Sequence, residues 1–303
     1  MNAKALNPNT ATQRARPLLK EPAPSKRDAP SYLYVSGFVA NSVAITVCVL
    51  SGNVGWSVPL MVIQGFFFMG LLELLHQAVH RNFVTGRTGN EILGTLAGAL
   101  IGYNMVTYRY FHLVHHRHTC DQADPEGLLY AHSPHTRWSA LGAPIAQVWV
   151  AFNINQLADR YVTAERRREW QRCRWIVLLV MAALASLAIA FPSVFIAVYL
   201  VPFCLFAWMD FFFSQAEHYG APIRSEGERV DVATVSYDIR IPVWLSHLML
   251  NRNLHRVHHV WPRTRWFDAP ARLSQLDEQR PGRVRSLPIF LTEWMRAGPR
   301  LWQ

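Results

Sequence analysis

Residues 31–72 read SYLYVSGFVANSVAITVCVLSGNVGWSVPLMVIQGFFFMGLL and contain no Asp, Glu, Lys or Arg. The run is about twice the roughly 20 residues that a helix needs to cross a bilayer, and it is interrupted near its middle by Ser51-Gly52-Asn53. Two membrane spans joined by a turn are therefore expected, at about 32–51 and 56–75. A second uncharged stretch runs from Trp175 to Met209, interrupted at Phe191-Pro192-Ser193. It predicts two more spans, at 175–191 and 194–214. The chain is 51% hydrophobic yet carries a formal charge of +10, and all 30 Lys and Arg lie outside the two apolar windows.

The basic residues set the expected orientation. Lys4, Arg14, Arg16, Lys20, Lys26 and Arg27 precede the first window, and Arg160, Arg166, Arg167, Arg168, Arg172 and Arg174 fill the linker between windows. Both hairpin tips are uncharged, so N-terminus, linker and C-terminus are all expected on the cytoplasmic side. The fold class is all-α integral membrane, with four transmembrane helices as two hairpins under a cytoplasmic helical cap. Residues 1–30 read as a disordered basic tail, 31–268 as the membrane domain and 269–303 as a cytoplasmic C-terminal tail. The positive charge orients the protein and attracts anionic membrane lipids; nothing points to nucleic acid. Cys48, Cys120, Cys173 and Cys204 are scattered with no CxxC pair, which argues against disulfides.

At the end of the first window stands HQAVH, with His76 and His80. HLVHH follows with His112, His115 and His116, and HRVHH with His255, His258 and His259. On a helix, residues three and four apart lie within roughly 5–6 Å of each other, so such imidazoles can grip one ion. A single first-row ion takes at most about six ligands, so eight clustered histidines imply two metals. His218, just past the fourth span, reaches the same boundary and is a ninth candidate ligand. Glu73, one turn before His76, and Asp121 and Asp124, after the second box, are candidate acceptors for the far ring nitrogens. His118 points away from its neighbours, and His132, His135 and His247 lack clustered partners.

Imidazole suits Zn, Cu, Fe and Ni alike. The HExxH of a zinc peptidase is absent, and haem between helices would place single histidines near mid-bilayer rather than clusters at helix ends. A membrane metal carrier would need polar groups through the bilayer centre, and the two windows have no charged ones. Beyond the two-hairpin rhythm there is no internal repeat of transporter type.

HxxxH at His76–His80, HxxHH with TxxxxDP at His112–Pro125 and NxHxxHHxxP at Asn253–Pro262 resemble the membrane fatty acid desaturase family, over about Ser31 to Phe267. Glu217-His218-Tyr219-Gly220 is also similar to a motif of the related alkane hydroxylases. The resemblance implies a non-haem diiron centre that uses O2 and two electrons to remove hydrogen from an unactivated C–H bond of a fatty acyl chain. The nine histidines would be its ligands, and desaturation is the reaction expected; hydroxylation or oxidative decarboxylation to a terminal alkene begins with the same hydrogen abstraction. A bacterial inner-membrane enzyme with its site on the cytoplasmic side is the expected setting. No flavin loop, cluster motif or cytochrome-like domain is present, so an external ferredoxin-like donor is expected, with Arg166–Arg168 as a dock for an acidic carrier. Phe66, Phe67, Phe68, Trp208, Phe211, Phe212 and Phe213 are candidates to line an apolar cleft for the acyl chain.

Overall fold

A computed structural model describes residues 21–126, 141–159, 162–226, 228, 231–279 and 284–298. Helix α1 (Ala29–Leu50) follows Asp28 with Pro30 in its first turn, where a missing N–H costs nothing. It ends at a turn in which Gly52 takes φ 77°, and α2 (Val54–Val79) packs back against it. At about 1.5 Å per residue α2 rises about 39 Å, more than the roughly 30 Å hydrocarbon core. Its last turns, which carry His76, lie at the end away from the α1–α2 turn.

Two shorter helices, α3 (Arg87–Leu100) and α4 (Met105–His118), lie against α2. Asn104 caps α4, its side chain accepting from the Val106 N–H at 2.9 Å. Next come α5 (Ala143–Asp159), α6 (Arg167–Ala190) and α7 (Pro192–Glu217). Pro202 has no N–H and its ring crowds the carbonyl four residues back, and the preceding turn, Ile196–Leu200, widens to a π-helix. Helix α6 starts eight residues before the uncharged window, inside the basic linker.

Four helices, α1, α2, α6 together with the short turn before it, and α7, are long and apolar enough to cross a membrane. They are buried unequally. In α2 61% of the apolar window is inside the protein, against 11% in α1 and 6% in the Ala164–Ala190 helix. So α2 is the central pillar, while α1 and α6 turn apolar faces outward, an arrangement that lipid tolerates and water does not.

The rest of the chain wraps the α2 end that carries the first box. Strand β1 (Asp238–Arg240) pairs in parallel with β2 (Val284–Ser286), flanking α8 (Val243–Leu248), α9 (His255–Val260) and α10 (Ala269–Gln279), and α11 (Leu287–Ala297) follows β2. The segment after residue 268, read from sequence as a tail, is thus folded: Phe290 and Trp294 are buried in the main core, and Trp294 Nε1 donates to Gln215 on α7. Residues 21–28 of the expected N-terminal tail also make contacts, with Glu21 accepting from the Arg263 N–H and Asp28 paired with Arg265. The expectations for residues 1–20, Arg160, His132 and His135 fall outside the described residues.

The aromatic residues read as candidate cleft lining pack mainly on one another. Phe68 meets Phe38, Tyr199, Phe203 and Phe206, Phe67 meets Tyr34 and Phe38, and Phe211 and Phe212 meet Trp294. Phe66 is partly buried against the same core, Phe213 is buried in it, and Trp208 is 39% exposed. All four cysteines are free thiols.

Candidate metal centre

The structure gathers all nine histidines singled out from sequence, and divides them into two adjoining groups. His76, His80, His112, His116 and His258 form one; His115, His218, His255 and His259 form the other. Within each group the ring nitrogens lie within 4.8 Å of one another. The second group is fully buried, whereas His80, His116 and His258 leave the first partly open.

Each HxxHH box serves both groups, and the two boxes do so in opposite senses. In α4 the first and last histidines, His112 and His116, join the five-membered group, while His115 joins the four. In α9 the first and last, His255 and His259, join the four, and His258 joins the five. Helical geometry explains the split: at about 100° per residue, positions three and four along fall on either side of the first. A reading in which each box presents one face to one spot misses this division.

The second ring nitrogens show which way the imidazoles point. His76 Nδ1 donates to Glu73 at 2.7 Å, His115 Nδ1 to Asp124 at 3.0 Å and His218 Nδ1 to the Val235 carbonyl at 2.9 Å. With Nδ1 carrying the proton, Nε2 presents a lone pair. Across both groups the Nε2 atoms face one another: His76 lies 2.8 Å from both His112 and His258, His112 2.9 Å from both His80 and His116, His115 3.2 Å from His259, and His255 3.0 Å from His218. One proton cannot satisfy several such contacts at once. A cation at each focus can.

Electrostatics lead to the same requirement. Burial pushes His112, His116, His255, His258 and His259 well below the ordinary imidazole range, reinforced by the neighbouring histidines, and takes His218 down to about 3. These rings are neutral at physiological pH, the state in which an imidazole can offer its lone pair to a metal. Burial also disfavours charge on His115, yet Asp124 and Glu126 raise it to about 9. The field that would hold a proton there also favours a metal cation on the same ring. Around the histidines and Arg252, Glu73, Asp124, Asp210 and Glu217 are buried.

The expected acceptors are placed as follows. Glu73 and Asp124 hold His76 and His115; Asp124 also accepts from the Cys120 and Glu126 N–H groups, which fixes the carboxylate itself. Asp121 instead pairs with His118, 3.0 Å away and outside both groups. His247 is exposed and donates to the Val243 carbonyl. Sequence reasoning did not find Asp238, which accepts from the backbone and side-chain N–H of Arg256 at 2.9 Å and so anchors α9 to β1. Nor did it find Arg252 or the Val235 carbonyl, and it named Glu217 only as part of a motif, without a partner. Only the histidine clusters are periodic; these partners come from separate segments.

The profile of the family described as fatty acid desaturase matches residues 13–287. The chain belongs to that family. It is accordingly a membrane oxidoreductase, and the histidine groups are the part of this chain suited to hold metal. Among curated proteins none matches the chain closely enough for comparison.

Proposed function

We propose that this desaturase-family chain holds two irons, one on His76, His80, His112, His116 and His258 and the other on His115, His218, His255 and His259. With them it would introduce a double bond into a fatty acyl chain. The observation that supports this reading most is the set of Nε2 atoms facing one another at 2.7–3.2 Å, with the Nδ1 atoms of His76, His115 and His218 engaged behind them. When bound, such a pair of irons supplies the activation of O2 for hydrogen abstraction. The protein's part is to orient. Glu73 and Asp124 fix ring tautomers, the Val235 carbonyl fixes His218, and the closed four-histidine group is shielded from water.

In this reading the chemistry lies on the cytoplasmic side, supported by the basic linker before α6 and by the clustering of the histidines at the same end of the spans. Two electrons would come from a separate acidic ferredoxin-like carrier, for which Arg166–Arg168 offer a basic landing area subject to salt screening. An apolar passage in the membrane domain would admit the acyl chain, since an alkyl chain offers no polar handle.

The test is product analysis of cells expressing wild type or His115→Ala with a reductase system, together with iron content of the purified proteins. A new double bond made by wild type and lost with iron in a folded H115A supports the reading. A hydroxylated or decarboxylated product with no new internal unsaturation overturns the desaturation step and leaves the metal centre standing. Wild-type protein that retains no iron overturns the centre itself.

A further inference from the structure

Arg252 lies in the loop just before the third box, its side chain 10% exposed. Three carboxylates from two helices converge on it. Nη1 is 3.9 Å from Glu73 Oε2 on α2, and Nη2 is 3.3 Å from both Asp210 Oδ1 and Glu217 Oε1 on α7. Two of these acids also face the histidines. Glu73 accepts from His76 Nδ1 at 2.7 Å, and Glu217 Oε1 lies 3.7 Å from His255 Nδ1. His76 belongs to the five-membered group and His255 to the four. A single guanidinium therefore stands between a carboxylate behind one group and a carboxylate behind the other.

A structural ion pair does not require this arrangement. Desolvating a cation and several carboxylates costs more than packing apolar side chains of the same volume, so fold stability alone is a weak reason to keep the cluster. The geometry asks for a fork. Nη1 and Nη2 address different helices, which a planar guanidinium does in one fixed fork and a compact ammonium on a flexible stem does without fixing either direction. Moving a carboxylate behind a ligating imidazole changes the ring's orientation and basicity, and both act on the ion in front.

We propose that Arg252 is a positioning residue that couples the two histidine groups, holding Glu73 toward His76 and Glu217 toward His255. This rests on the two-iron reading above. Loss of the guanidinium removes the cation facing both carboxylates at once, so one substitution disturbs both metal sites even though Gln77 Nε2 still donates to Glu73 Oε1 at 3.0 Å. Loss of either carboxylate disturbs its own site most.

The test uses full-length protein loaded with isotopically enriched iron and read by Mössbauer spectroscopy, with iron content measured in parallel and helix content by circular dichroism. Wild type is expected to show two quadrupole doublets, one for each unequal ligand set. Glu73→Gln is expected to change chiefly one doublet, Glu217→Gln chiefly the other, and Arg252→Gln both, at wild-type helix content. Arg252→Lys keeps the charge without the fork and is expected to hold both irons while still changing both doublets; it replaces R252Q if that variant does not fold. R252Q or, in its place, R252K that alters neither doublet, or only one, overturns the coupling and leaves the two-iron reading intact. Wild type without an iron pair overturns that reading and this one together.

Discussion

At the scale of single residues, the side chains behind the histidines decide what the histidines can do. Asp124 is the clearest case, because it is buried, accepts from His115 and is itself fixed by two backbone N–H groups. Asp124→Asn keeps the shape but takes away the charge opposite the ring. It is expected to weaken iron retention about 10- to 100-fold, as loss of such orienting partners does, seen as iron lost on dialysis against a graded chelator series. Left-handed residues mark the edges of the boxes. Arg81 (φ 60°) follows the first, Cys120 (φ 57°) follows the second, and Leu250 (φ 53°) and Asn251 (φ 59°) precede the third. At Arg81 the bonds Arg81 N–H to Ala78 O and Asn82 N–H to Gln77 O close the end of α2 in a way that suits glycine. Because Arg81 is exposed, Arg81→Gly is expected to leave iron content unchanged. It should raise stability by up to about 1 kcal/mol, the strain of an L-residue in that conformation, as read by a thermal shift in detergent; a fall would show that the arginine side chain is needed there.

At the scale of elements, close helix contact places the first box. Gly70 on α2 lies where an added Cβ would clash with the Tyr34 hydroxyl of α1 and come 2.9 Å from the Leu248 carbonyl of α8. The same hydroxyl bonds the Phe67 and Leu248 carbonyls at 3.0 Å, so it has little room to withdraw. Gly70→Ala is expected to cost about 1–3 kcal/mol through overpacking, seen as a lower midpoint of thermal unfolding. A variant as stable as wild type would mean that α1 can move away from α2 freely. The third box depends on its neighbours more than on its own helix. Its α9 has six residues, too short to persist alone, and is held by Asp238 through Arg256 and by the mutual bonds of Asn253 with Ile239.

At the scale of the whole molecule, the centre is assembled from α2, α4, the end of α7 and α9. Metal that binds the folded centre and not the unfolded chain must stabilise the fold. Each ion at a hundred times its dissociation constant contributes about 2.7 kcal/mol. Stripping iron with a strong chelator is therefore expected to lower the unfolding midpoint, and restoring ferrous iron under nitrogen to return it. Equal midpoints with and without metal would show that the nine imidazoles are stable facing one another unaided.

The sequence by itself determined the four long apolar helices, their approximate limits and the nine histidines that meet. Those signals are local: an uncharged run long enough for a bilayer, and imidazoles at helical spacing. The tertiary structure alone decided how each box is shared between the groups, and which partners stand behind the rings. It also decided that the chain beyond residue 268 closes over the core through Phe290 and Trp294. Asp238 and Arg256 are 18 residues apart, Glu73 and Arg252 lie on distant segments, and Trp294 reaches back to Gln215. No periodicity links such pairs, because their meeting follows from how the helices pack, and packing depends on the shape of every contact surface at once.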